Sequence, residues 1–271
     1  MKIDELEIGI EPYKTTEYLS DCFGVIDLTS LNATDTNVKI EEICKKIIEF
    51  PDSFPELPNV AALCVYPSFT SLVKKKLNTL GVKIAVTGAG FPASQTYQKI
   101  KVEECRMAAE EGADEVDIVM SLNHFLSGDY AKTYDEISAI KEAIGRVQLK
   151  VIIESGTLSE CESISLASRI VMEAGADFIK TSTGKSDPAA TPEAAVVMCR
   201  EIKAFWKKTG KRIGFKPAGG IATPNDALIY YAIVHNLLGA DWLSPSLFRI
   251  GASRLANNLL SEIKGKPIYY F

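Results

Sequence analysis

Short β-branched or apolar runs alternate with amphipathic stretches along the whole chain. The runs predict strands near 24–28, 59–65, 82–87, 114–119, 149–154, 177–181, 212–216 and 240–244. Helical spacing predicts helices near 38–50, 68–80, 95–111, 131–145, 160–174, 192–208, 224–237 and 252–264. Residues 4–22 predict one extra N-terminal helix. Two helix starts are well marked: Thr191-Pro192 and Thr223-Pro224 each set a capping hydroxyl before a proline at the first helical position. Three helices end in Gly-Ala-Asp, at 112–114, 175–177 and 239–241, where glycine supplies a left-handed stop.

Eight strand–helix units without a Pro/Gly/Ser-rich linker favour one closed (β/α)8 TIM barrel spanning residues 1–271, with the N-terminal helix covering its bottom. A doubly wound open sheet is the runner-up, but it usually needs fewer strands for this length. The 46% hydrophobic content is enough for a sizeable core.

A net charge of −5 argues against a nucleic-acid partner, because phosphate-backbone binding needs a basic surface. Six cysteines without a Cys-x-x-Cys pair read as reduced thiols of a cytoplasmic protein. The N-terminus is too acidic and polar for a signal peptide, and no apolar run approaches the ~20 residues of a membrane span. The only histidines, His124 and His235, lie far apart, so neither a metal nor any other cofactor is expected. Gly88-Ala89-Gly90-Phe91-Pro92-Ala93 imitates a dinucleotide fingerprint, but the acidic residues about 20 positions on fall inside a helix. Gly184-Lys185-Ser186 resembles the end of a P-loop, yet the glycine that motif requires is replaced by Ile179.

Chemistry enters with four charged residues near the C-terminal ends of otherwise apolar strands: Asp27, Asp117, Lys180 and Lys216. In a (β/α)8 barrel that end is the catalytic face. Charges buried there cost several kcal/mol unless they pair or shift their pKa. A structural ion-pair network is the simpler reading of one such lysine. Two lysines on adjacent strands, with two carboxylates, favour catalysis. Neighbouring ammonium groups depress each other's pKa, and a neutral amine is what imine formation with a carbonyl needs. Either lysine suits that role on these grounds. Gly184 and Lys185 after strand six, Gly219 and Gly220 after strand seven, and Gly251 and Ser253 at the opening of the last helix together suggest a phosphate cradle.

Several blocks carry a family resemblance. ADFIKTSTGK at 176–185, GFKPAGGI at 214–221, GADEVDIV at 112–119, VIDLTSLN at 25–32, LKVIIESG at 149–156, GADW at 239–242 and RIGAS at 249–253 resemble the deoxyribose-phosphate aldolases, in the family's order. The resemblance implies a class I aldolase that reversibly cleaves 2-deoxy-D-ribose 5-phosphate to D-glyceraldehyde 3-phosphate and acetaldehyde. It implies Lys180 as the Schiff-base lysine, Lys216 as the partner that lowers its pKa, Asp117 in proton relay, and Asp27 in the same polar network. The phosphosugar and acetaldehyde are the expected partners, with a homodimer as the expected assembly. One departure is Ala222, where many members carry an arginine, which leaves Lys185 and Arg254 as substitutes. Cys64 reads as a small buried thiol, with a place facing the acetaldehyde pocket as the alternative; His124 reads either as a solvated loop histidine or as one that touches the mouth, and His235 as a helix residue without a chemical role. Tyr269-Tyr270-Phe271 reads as a frayed or surface-packed tail; the alternative folds it over the barrel mouth. Two rival readings stand beside this one: another imine-forming aldolase or transaldolase, and a non-catalytic barrel that binds a phosphorylated ligand.

Overall fold

The computed structural model describes residues 9–77 and 80–271. Its strands are β1 (Ile26–Thr29), β2 (Ala62–Val65), β3 (Lys83–Gly88), β4 (Glu115–Val119), β5 (Gln148–Ile152), β6 (Phe178–Lys180), β7 (Gly214–Lys216) and β8 (Ile250–Ala252). Strands β1 to β7 pair in sequence order, all in parallel, and β8 pairs with β1. The ring closes between β7 and the approach to β8, where the Arg249 amide donates to the Phe215 carbonyl at 3.1 Å and the Gly251 amide to the Pro217 carbonyl at 2.9 Å. The helices are α1 (Thr16–Gly24), α2 (Asn37–Ser53), α3 (Thr70–Leu77), α4 (Gln98–Glu110), α5 (Leu122–Leu126), α6 (Tyr130–Ile144), α7 (Ser155–Leu158), α8 (Cys161–Glu173), α9 (Pro192–Thr209), α10 (Pro224–Leu238) and α11 (Leu255–Lys264). This is the expected (β/α)8 barrel with an extra N-terminal helix.

Strand alternation divides the interior into two zones of different chemistry. Leu63, Ile84, Val86, Val116, Ile118, Leu149, Val151, Ile179 and Phe215 join the large core between sheet and helices. The alternate residues, on the opposite face, include Asp27, Asp117, Lys150, Lys180 and Lys216, all buried. Apolar residues on that inner face form a separate small cluster, Leu31, Ala62, Cys64 and Ala85, flanked by Tyr66 and Phe91. The centre of the barrel is therefore charged on one side and apolar on the other.

Local signals explain how the units join. Thr191 and Thr223 accept the amides of Ala194 and Asp226 and so cap α9 and α10. Gly112 and Gly175 end their helices at φ +103° and +106°. The aspartates that follow have a sheet function: the Asp114 carboxylate accepts the Ile84 amide, and the Asp177 carboxylate accepts the Leu149 amide, each at 2.9 Å. Each ties the foot of one strand to its neighbour.

The third Gly-Ala-Asp misleads. Residues 240–244, expected as the last strand, instead start with a 3-10 turn over Ala240–Trp242. Trp242 is buried there, donates its indole N–H to the Ile213 carbonyl at 2.9 Å and packs edge-on against Trp206. Burying that ring under α9 outweighs the strand-like pattern. The true β8 is Ile-Gly-Ala, so Gly251 lies on a strand, and the last helix opens only at Leu255.

The N-terminal helix is shorter than expected and differently placed. Residues 4–8 of its expected span lie outside the described residues. Glu11–Tyr13 form a 3-10 turn, and α1 follows after Thr15 caps it. Tyr13 Oη lies 2.7 Å from His235 Nδ1 on α10, and the Tyr231 hydroxyl donates to Asp21 at 3.0 Å. These contacts seat α1 against the outer helices, and His235 has an anchoring role that the sequence did not suggest. A cavity of about 540 Å3 at the barrel bottom is lined by residues such as Lys83, Glu115, Gln148 and Arg249. The C-terminal tail packs between α2 and α11, with the Tyr270 hydroxyl on the Lys46 carbonyl, Phe271 stacked on Phe50 and the Tyr270 and Phe271 amides on Asn257, and none of Tyr269, Tyr270 and Phe271 lines the mouth cavity.

Gly214 leaves no room for a side chain, because a Cβ there would lie within 2.5 Å of three carbons of the Phe178 ring. Gly214→Ala should cost about 1–3 kcal/mol of stability, measured by denaturant unfolding. Gly214→Ala with Phe178→Leu should recover most of that loss. A fully stable single variant would contradict this packing.

Candidate active site

Strands β6 and β7 pair in register so that Lys180 stands beside Lys216, each the last residue of its strand. Both Nζ atoms donate to one oxygen, Oδ2 of Asp117, at 2.8 and 2.7 Å. The two amines are thus no further apart than two hydrogen-bond lengths. Lys216 also pairs with Asp27, which accepts Arg249 Nη1 at 2.6 Å through its other oxygen. All four residues singled out in the sequence meet in one cluster.

The cluster extends further than the sequence suggested. Lys150 on β5 pairs with Glu115 and lies 3.4 Å from Asp117 and 3.7 Å from Asp27. Arg249 Nη2 donates to Glu115 at 2.6 Å. Lys150 and Glu115 each precede an inward-facing residue by two positions, and that period-2 spacing could have revealed them. Arg249 was hidden by the misplaced last strand.

Lysine basicity differs sharply across this cluster. Burial lowers the Lys180 pKa; Asp117 opposes the shift, and the Lys216 charge reinforces it. Desolvation, more than the neighbouring ammonium, is the leading cause. Burial acts on Lys216 in the same direction, but Asp117 and Asp27 together overcome it and raise its pKa, so Lys216 stays a cation. Burial would raise the Asp117 pKa, yet Lys180, Lys216 and Lys150 hold it well below the carboxylate range. Burial keeps the Cys64 thiol protonated. One amine is therefore biased toward neutrality beside an ammonium whose basicity is raised and a carboxylate whose basicity is lowered.

Lys180 opens into a cavity of about 290 Å3 at the mouth. Gly184, Lys185, Gly219, Gly220, Gly251 and Ser253 all line it, as do Ala222 and Arg254. The loops touch closely: a Cβ on Gly219 would meet the Gly184 Cα at 3.0 Å, and φ at Gly219 is +86°. Lys185 reaches across the mouth and donates to the Leu31 carbonyl at 2.6 Å.

Glu154, which the sequence reading passed over, sits at the end of β5 with left-handed backbone (φ 52°, ψ 60°). Its carboxylate accepts the Thr183 amide at 3.1 Å and the Thr183 hydroxyl at 2.8 Å, anchoring the loop after β6. A non-glycine residue held in this conformation is costly and persists where its side chain is tightly bound. Among the described residues, no group of three or more His, Cys, Asp or Glu gathers as a metal cluster. No helix of those residues is long and apolar enough to cross a membrane.

A closed (β/α)8 barrel with a desolvated amine lining a cavity at the C-terminal ends of its strands has the arrangement that imine chemistry on a carbonyl compound requires. Similarity to known proteins narrows the class. The DeoC/LacD family aldolase pattern matches residues 23–240, and the chain belongs to that family. The human protein named deoxyribose-phosphate aldolase is 42% identical over 248 residues, covering 88% of this chain and 78% of the human one. Among solved structures, an aldolase named QR15 superposes with a TM-score of 0.74 at 30% identity, covering 90% of this chain and 96% of its own. The tetrameric deoxyribose phosphate aldolase of Aeropyrum pernix gives 0.72 at 25% identity, covering 96% and 97%.

Asp117→Asn removes the anion that both lysines share. Turnover should fall about 10²–10⁴-fold with the fold intact by circular dichroism. Loss of a negative neighbour disfavours ammonium, so the acidic limb of the rate profile should move to lower pH. A limb that moves upward would contradict the geometry described.

Proposed function

We propose that the chain is a single-domain class I aldolase that reversibly cleaves 2-deoxy-D-ribose 5-phosphate into D-glyceraldehyde 3-phosphate and acetaldehyde, with Lys180 as the nucleophile. The observation that carries this reading is the pair of lysines on one carboxylate oxygen, the more weakly basic one lining the mouth cavity. Family membership and the 42% identity to the human aldolase support the substrate.

In this mechanism the neutral Lys180 amine attacks C1 of the open-chain sugar, and loss of water gives a protonated imine. A base takes the proton of the C3 hydroxyl, the C2–C3 bond breaks, and its electron pair becomes the C1–C2 double bond of a neutral enamine. D-Glyceraldehyde 3-phosphate leaves. A proton then reaches C2, and hydrolysis releases acetaldehyde and restores the amine. We assign these proton transfers to Asp117, which bridges Lys180 and Lys216, acting with a water. Asp27 holds Lys216 from below. The apolar inner cluster around Leu31, Cys64 and Ala85 suits a methyl-sized aldehyde fragment.

The phosphate belongs at the loops after β6, β7 and β8, where Gly184, Lys185, Gly219, Gly220, Gly251 and Ser253 offer backbone and side-chain donors. Lys185 and Arg254 supply the positive charge that Ala222 lacks. A cytoplasmic setting fits six unpaired cysteines. A homo-oligomer, in its simplest form a dimer, fits the apolar side chains exposed on α4 to α6, such as Ile100, Met107 and Leu126.

Borohydride reduction with acetaldehyde should add one ethyl group, mapped to Lys180 by mass spectrometry, and Lys180→Leu should lose both adduct and turnover. An adduct on another lysine would remove the nucleophile assignment. Phosphate-ester binding without any adduct would favour the non-catalytic barrel. Lys185→Ala should raise KM for the phosphorylated sugar about 10-fold or more while sparing unphosphorylated 2-deoxyribose; an equal loss on both would place the phosphate elsewhere.

A further inference from the structure

Seven ion-paired side chains form one buried cluster through the barrel: four cations, Lys150, Lys180, Lys216 and Arg249, and three carboxylates, Asp27, Glu115 and Asp117. With every group ionised the cluster carries one uncompensated positive charge. Unbalanced charge in a dry interior is costly, and it is relieved most cheaply by shedding one proton from an amine. Lys150 and Lys216 each lie near at least two carboxylates, and Arg249 keeps its proton at all accessible pH values. Among the described residues Lys180 pairs with Asp117 alone, whose oxygen it shares with Lys216, and it lines the open cavity. The excess proton is thus most weakly held at Lys180.

The surplus depends on residues far from the mouth. Arg249 and Glu115 line the cavity at the barrel bottom, while Lys180 lines the one at the top. The Phe178 ring packs inside the barrel beside this cluster, its centroid 5.6 Å from Lys150 Nζ and 6.0 Å from Arg249 Cζ. We propose that Arg249 and Glu115 are positioning residues that set the protonation state of Lys180 through the charge count of the cluster, without touching substrate. The inference rests on the assignment of Lys180 as nucleophile.

Other groups facing Lys180 are accounted for. Cys64 on β2 is a neutral thiol, and Glu154 after β5 is held by the Thr183 amide and hydroxyl. Lys185 at the mouth is bound to the Leu31 carbonyl. These are constant across the variants below.

The test is the pH dependence of borohydride trapping of acetaldehyde, with the adduct mapped in each variant. Arg249→Met leaves three cations for three carboxylates, so Lys180 should keep its proton and the trapping limb should move to higher pH. Glu115→Gln leaves four against two, and the limb should move to lower pH. At an effective dielectric of about 20, a unit charge roughly 10 Å away is worth about one pH unit, or about 10-fold in trapping rate on the acidic limb. The double variant, three against two, restores the single surplus and should return the limb close to its original position. Arg249→Lys keeps the charge and should leave the limb in place, and if Arg249→Met does not fold, the downward shift in Glu115→Gln against an unmoved limb in Arg249→Lys remains the test. A packing role would slow all variants without moving the limb in opposite directions. Shifts in one direction, or none, with the adduct still on Lys180, overturn the charge-count inference alone; a native adduct elsewhere overturns the nucleophile assignment instead.

Discussion

One carboxylate oxygen, Oδ2 of Asp117, accepts hydrogen bonds from two amines that would otherwise repel each other, and the inner architecture is arranged around that contact. Bringing Lys180 and Lys216 side by side requires β6 and β7 to pair in register. Stabilising Lys216 as a cation requires the second carboxylate of Asp27 from β1, which closure of the ring brings within one intervening strand, β8, of β7. An open sheet would leave β1 and β7 apart, so closure of the barrel is itself a condition of the chemistry.

Burial makes the contact productive. In water the two amines would both be protonated, since an ordinary lysine titrates near 10.4. Inside the barrel, desolvation penalises each charge, and the carboxylates decide which amine keeps its proton. Two groups of the same chemical type thereby differ in charge, one biased toward the neutral amine and one held as a cation. The division of the interior serves the same end, with an apolar wall of Leu31, Ala62, Cys64 and Ala85 beside the charged one. The cavity above is ringed by close-packed glycine turns that leave backbone donors accessible.

Much of this was legible in the sequence because strand residues alternate faces and barrel enzymes work at strand ends. Lys180, Lys216, Asp117 and Asp27 stood out as ionisable residues in apolar runs, and the structure gathers all four. The residues missed share a physical reason. Lys150 and Glu115 sit lower on their strands, where a charge reads as the polar edge of a run. Arg249 precedes a three-residue strand containing glycine, too short for periodicity to register, while Gly239-Ala240-Asp241-Trp242 imitated a strand start. There a tertiary contact, Trp242 under α9, overrode the local pattern. The seat of α1 on α10 and α11 was likewise invisible, because it depends on Tyr13 and His235 meeting across 222 positions of sequence.

The central claim is that Lys180 is weakly basic while Lys216, sharing its carboxylate, is strongly basic. The most direct measurement is a site-resolved NMR titration of both side chains in the ligand-free protein, with lysine labelled at Cε and resonances assigned by substitution. The account predicts that Lys180 loses its proton well below the ordinary lysine value and that Lys216 remains protonated throughout the accessible range. A Lys180 midpoint at or above that ordinary value, or a Lys216 that titrates first, would contradict it.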